Sequence, residues 1–200
     1  ITTLVDRYQG KRLNSPNDVT VKSDGTIWFS DPYYGIVTDY EGERREAELP
    51  PNLYRFDPRD GSLEVVADDF QSPNGVCFSP DEKRLYVSES GVPFAVDPLQ
   101  HLRVFDVSAD GAHLSNARIF HKVKPGFTDG LRCDEEGNLW SSAGDGVHCI
   151  DPGGNLLGKI RVPFVVSNLT FGGRLRSCLF IGGSHTLYAM CVNRRGAERP

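Results

Sequence analysis

The sequence predicts an all-β chain assembled from repeated four-stranded units, and three observations carry that prediction. A short pattern recurs along the 200 residues. It reads SPNDVTVKSDGTIWFSD from Ser15, SPNGVCFSPDEKRLYVSES from Ser72 and FTDGLRCDEEGNLWSSAGDG from Phe127, and more faintly VSNLTFGGRLRSCLFIGGS from Val166. Each copy opens on a polar residue (Asn17, Asn74, Asp129, Asn168) and continues as an alternating apolar strand, a turn and a second strand. No stretch holds a 3.6-residue apolar period, which argues against helices. Two hairpins in a unit of about 40–55 residues are the signature of a propeller blade.

Taken in order, Ile1–Tyr8 reads as the outer strand of a preceding blade. The first hairpin of each unit turns at Ser23-Asp24-Gly25, Pro80-Asp81-Glu82 and Glu135-Glu136-Gly137. Such residues supply the positive φ of tight turns. The second hairpin turns at Asp60-Gly61 after Leu53–Asp57, at Asp110-Gly111 after Leu102–Asp106, and at Gly153-Gly154 after Val147–Asp151. The polar stretch Thr38–Pro51 reads as an exposed loop or one helical turn. The units run Asn17–Phe70, Asn74–His121, Asp129–Pro163 and onward from Asn168. Residues 1–200 thus read as one partial propeller domain of about four blades, with N-terminal blades missing.

Composition narrows the function. Lys and Arg number 22 against 27 Asp and Glu, a net charge of −5 with scattered basic residues. Nucleic acid or an anionic membrane surface would need a dense positive patch. No apolar run approaches the roughly 20 residues of a membrane span. The five cysteines (77, 133, 149, 178 and 191) lie in apolar, strand-like stretches with no C-x-x-C pair. They read as buried, reduced thiols, which points to the cytoplasm.

Asn17, Asn74 and Asp129 sit at equivalent points of successive units, at the start of each innermost strand, and equivalent points of a propeller converge on its axis. Two amide oxygens and a carboxylate form an all-oxygen set suited to calcium or magnesium. The competing reading makes Asn74-Gly75 and Asp129-Gly130 ordinary turn pairs. Asp129, the charged member, is the candidate both for ligand and for general base. Tyr34 (with Tyr33) is a candidate for lining a substrate mouth. Glu89 and His185 are further substrate-facing candidates, each weighed against a bland strand-end or solvated role. Asp31 reads as a turn residue, and His101, His113, His121 and His148 as surface or packing. There is no G-x-S-x-G elbow, phosphate loop or dinucleotide fingerprint.

Arg12–Asp18 with Ser23–Gly25 and Phe29–Gly35, then Ser72–Gly75 with Phe78–Asp81, then Asp129-Gly130 with Glu136–Trp140, and last Ser167–Gly173 with Leu187-Tyr188 resemble the gluconolactonase and regucalcin family, which includes luciferin-regenerating enzymes, in the same order. The resemblance implies a six-bladed propeller with one axial divalent metal, most often calcium, with magnesium, zinc or manganese as alternatives. It implies Asn74 and Asp129 as ligands, and Asn17 as a ligand or substrate contact. The family's glutamate ligand, from a Glu-Gly-Pro-like motif, has no counterpart here and is expected upstream of Ile1. Regucalcins carry an arginine two residues before the matching asparagine, where Ser15 stands, so their substrate preference does not carry over. The implied activity is metal-dependent hydrolysis of a small sugar lactone. The alternatives are a non-catalytic calcium-binding scaffold and a hydrolase of organophosphorus or aryl esters.

Overall fold

The computed structural model describes residues 1–91 and 98–198. The short hairpin β1 (Arg7–Tyr8) and β2 (Lys11–Arg12) comes first. Three four-stranded antiparallel sheets follow, each in sequence order. The first holds β3 (Val19–Val21), β4 (Ile27–Asp31), β5 (Asn52–Asp57) and β6 (Ser62–Ala67). The second holds β7 (Pro73–Phe78), β8 (Arg84–Glu89), β9 (His101–Val107) and β10 (Leu114–His121). The third holds β11 (Leu131–Cys133), β12 (Leu139–Ala143), β13 (Gly146–Ile150) and β14 (Leu156–Arg161). A three-stranded sheet, β15 (Val166–Gly172), β16 (Cys178–Gly183) and β17 (Thr186–Cys191), closes the series. Only one helical turn, α1 (Tyr34–Val37), occurs among the described residues; it falls just before the polar stretch expected to hold it.

The hairpin turns fall where the turn residues placed them. Gly25, Gly61, Gly111, Gly137 and Gly154 adopt φ between 72° and 89°, and Glu82 takes φ 55°. Ile1–Tyr8 is not a single outer strand. Gln9 (φ 50°) and Gly10 (φ 81°) turn the chain back, so Tyr8 pairs with Lys11.

Period-2 alternation gives each sheet two apolar faces, and the sheets stack face to face as blades. Trp28 and Leu53 meet Val76, Phe78, Leu85, Val87 and Phe105 between the first and second sheets. Cys77, Tyr86 and Val104 meet Leu131, Leu139 and Ile150 between the second and third. Trp140 and Val147 meet Leu169, Leu179 and Ile181 between the third and fourth. The next residue along, Phe29, faces the other way and stacks on Tyr54, against which Tyr8 packs edge-on.

All five cysteines are free. Cys77 and Cys133 are buried and Cys149 and Cys178 half-buried, but Cys191 is exposed on β17, contrary to its apolar surroundings in sequence. Among the described residues, no helix is long and apolar enough to cross a membrane.

Candidate active site

The first strands of successive sheets, β3, β7, β11 and β15, pack side by side. Their polar leading residues are thereby gathered at one end of the stack. The close approach is specific. A Cβ on Gly75 would collide with the Asp129 carbonyl oxygen, and one on Gly130 with the Asn168 amide oxygen. Neither glycine has positive φ, so these are close-approach glycines and not turn glycines.

Asn74 and Asp129 meet. The Asn74 side chain hydrogen-bonds the Asp129 carboxylate, while its own Oδ1 is buried without a partner. The Asp129 N–H donates to Ser142 Oγ (2.7 Å), and the Asp129 carbonyl accepts from Ser88 Oγ (2.7 Å). Burial, with the nearby charges of Asp18 and Glu41, pushes the Asp129 carboxyl up to about 7 against the pull of Asn74.

Asn17 anchors its N–H on the Ser30 carbonyl (2.9 Å) and is itself exposed, lining a recess with Leu13 and Phe29. No contact with Asp129 is seen for it. Tyr34 is half-buried. Its hydroxyl donates to the Ser72 carbonyl (3.4 Å) and bonds Ser90, close enough to Asp129 and Glu89 that burial and their charges raise its pKa. It therefore reaches from the first sheet to the mouth of the second. His185 is exposed in the β16–β17 turn, its ring edge-on to Phe164 at 4.8 Å, and it touches none of the axial residues.

Glu89 does not face a mouth. Its carboxylate is buried and accepts main-chain N–H groups from Gln71 (2.9 Å) and Ser72 (2.7 Å). Asp31, read as a turn residue, is fully buried at the end of β4, where burial pushes its pKa up to about 6. His101 and His148 are buried, as packing residues; His148 bonds Asp145 (2.8 Å).

Two residues were missed. Asp18 accepts the Val76 N–H (2.9 Å) across the sheet boundary and adds negative charge beside Asp129. Its signal was a break in the repeat, since the second and third copies have glycine there. Glu41 arrives from the 38–51 stretch, which no other unit shares.

The oxygen set fits a hard cation. A buried amide oxygen lacks a donor, and a desolvated carboxylate is flanked by further negative charge; both are deficits that a cation makes good. Among the described residues no three His, Cys, Asp or Glu side chains converge as a metal cluster. The candidate donors are instead one carboxylate with amide oxygens.

The same deficits predict a pH dependence. Both Asp129 and Asp31 have folded pKa values raised above the ordinary carboxylate value of 3.8. Their stabilising contribution is full below the unfolded pKa and is lost as pH rises through about 6 to 7. In chelator, the melting temperature is expected to fall from about pH 5 to about pH 8, and Asp129→Asn to flatten most of that slope. An unchanged slope in the variant would show that Asp129 is not desolvated as described.

An all-β stack of four blades with polar leading residues gathered at one end defines part of a β-propeller. The chain belongs to the SMP-30/gluconolactonase/LRE-like family, whose model matches residues 1–185. It is 33 % identical over 195 residues to a gluconolactonase of Zymomonas mobilis, covering 93 % of this chain and 52 % of that one. It is 34 % identical over 191 residues to the lactonohydrolase oryH of Aspergillus oryzae, covering 86 % and 40 %. Among solved structures, a gluconolactonase of Xanthomonas campestris superposes with a TM-score of 0.84 at 42 % identity, covering 94 % of this chain and 60 % of that one. The chain thus spans about half the length of the Zymomonas enzyme.

Proposed function

We propose that the protein hydrolyses a small sugar lactone to its aldonic acid, with a divalent cation held by Asn74, Asp129 and Asn17. The observation that carries this reading is the unpartnered Asn74 Oδ1 lying beside the desolvated Asp129 carboxylate, to which the Asn74 NH2 donates, at the axial end. Relatives that are gluconolactonases and lactonohydrolases support the substrate class. All-oxygen donors favour calcium over softer metals. When bound, the cation polarises the lactone carbonyl and offsets the charge that develops on its oxygen.

The chain's own groups do the rest. Asp129 orients the attacking water and takes its proton, and the proton then goes to the ring oxygen as the acyl–oxygen bond breaks. Tyr34 lines the mouth and presents its hydroxyl to a polyhydroxylated ring. Asp18 keeps the axial end electron-rich, which strengthens its hold on a cation. The net charge of −5 and the free thiols fit a cytoplasmic protein that acts on a small molecule, with neither nucleic acid nor membrane as partner.

A pH-stat assay with δ- and γ-lactones tests this. Acid release is expected to stop in chelator and to return with calcium. Full turnover in chelator would remove the metal reading. Turnover of aryl or organophosphorus esters with lactones untouched would move the substrate class.

A further inference from the structure

Two sheets end their second strand in a buried carboxylate that the reaction does not use. Asp31 closes β4 and Glu89 closes β8, at 0 % and 1 % exposure. Asp31 accepts the N–H groups of Asn14 (2.8 Å) and Ser15 (2.7 Å). Glu89 accepts those of Gln71 and Ser72 in the same arrangement, with a longer third bond from Gly91 (3.4 Å). In each case the bonded amides belong to the segment that enters the axial asparagine, Asn17 or Asn74, through a Ser-Pro step. Proline holds the preceding serine extended, so that serine's N–H cannot be spent in a helical turn. The Ser72 carbonyl is fixed as well, by the Ser90 N–H (3.2 Å). N–H bonds to a buried carboxylate are charge-assisted and stronger than neutral ones.

The third sheet departs from this pattern, and the departure tracks charge. Ala143 stands where Asp31 and Glu89 stand, and there is no Ser-Pro step before Asp129. Hydroxyls hold that segment instead. Ser142 Oγ accepts the Asp129 N–H, Ser90 Oγ donates to the Thr128 carbonyl (2.5 Å), and Thr128 Oγ1 bonds both Ser141 Oγ (2.7 Å) and Ser88 Oγ (3.1 Å). A buried anion behind an axial carboxylate would repel it, whereas behind an axial amide it does not.

We propose that Asp31 and Glu89 are positioning residues that aim the amide oxygens of Asn17 and Asn74 at the axis. This rests on those asparagines being the donors assigned above. Asp31 and Glu89 touch neither substrate nor cation; they act through the main chain.

The test is Glu89→Gln in the 200-residue chain, which keeps side-chain volume but sets an NH2 against the N–H of Gln71 or that of Ser72. In cation-free NMR, hydrogen exchange at Gln71 and Ser72 is expected to rise at least about tenfold, the Asn74 side-chain amide signals to move, and Glu89→Asp to restore part of both. Terbium, a luminescent hard-cation probe, is expected to bind at least about tenfold more weakly to Glu89→Gln. Asp134→Asn is the control. It alters a buried carboxylate at the other end of β11 and is expected to lower stability without moving the Asn74 signals or the terbium affinity. Asp31→Asn repeats the experiment on Asn17 should Glu89→Gln not fold. Unmoved Asn74 signals with unchanged exchange would overturn the proposal, as would wild-type terbium affinity in Glu89→Gln. A wild-type chain that binds no terbium would overturn the cation reading instead, and the NMR arm would still decide the clamp.

Discussion

Asp129→Asn is expected to lower lactone turnover by about 10³-fold or more while leaving the protein folded. The substitution is isosteric, and the main-chain bonds to Ser142 and Ser88 do not involve the side chain. What is lost is the Asp129 charge at the axial end, and with it the proton acceptor proposed above. General-base and electrostatic contributions of this kind are each worth about 10²–10⁴ in rate. The variant is also expected to melt higher than the parent in chelator at pH 8, because the cost of desolvating a charge beside Asp18 and Glu41 disappears. Opposite movements of stability and activity separate a catalytic role from a structural one. A near-normal rate in pH-stat assays, or a collapse in melting temperature, would remove Asp129 from the mechanism.

Gly75→Ala is expected to destabilise the chain and to disable the site together. The added Cβ would meet the main-chain carbonyl of Asp129 and the Leu131 side chain. A backbone atom cannot rotate away, so β11 must move as a body and carry Asp129 with it. Overpacking of this kind costs about 1–3 kcal/mol. The control is Gly158→Ala on β14, where a Cβ meets nothing within 4 Å. There the change is expected to be neutral or slightly stabilising, through the unfolded chain. Urea midpoints for the two variants and the parent check both expectations. A parental midpoint in Gly75→Ala would show that the inner strands are more loosely packed than described.

The blades were legible because local chemistry decides them. Alternation in Ile27–Phe29 and Leu85–Val87 sets which side chains face which neighbour, and Asp-Gly pairs force the turns. The β1–β2 hairpin was illegible for the same reason, since strands of two residues are too short to alternate. In the site, repeat phase pointed to Asn17, Asn74 and Asp129 alike, and of these the fold bonds Asn74 to Asp129 and leaves Asn17 exposed. The glycines beside Asn74 and Asp129 looked like turn residues because lateral contact between blades leaves no local mark. Glu89 and Asp31 were read as strand-end groups, facing substrate or turn. Their capture by the Gln71-Ser72 and Asn14-Ser15 amides depends on a segment about 17 residues away that the next inner strand fixes in place. Glu41 belongs to a stretch with no repeat counterpart, so no phase could place it.

The connections at the axial end are unequal. Those after β12 and β16 are tight turns at Gly144-Asp145 and Ser184-His185, whereas the one after β4 runs over 32–51 and brings the charge of Glu41 to Asp129. Diversity can therefore be grafted into the protein on the 32–51 connection. A combinatorial library over 38–41 and 43–44, sparing Gly42, whose Cβ would collide with the Gly35 carbonyl, and outside the Arg45 guanidinium that anchors the stretch on the Leu13 and Asn14 carbonyls, would vary the rim above the axis without touching any blade. The tight turns offer no comparable room, because each extra residue there would unzip a ladder before it reached a substrate.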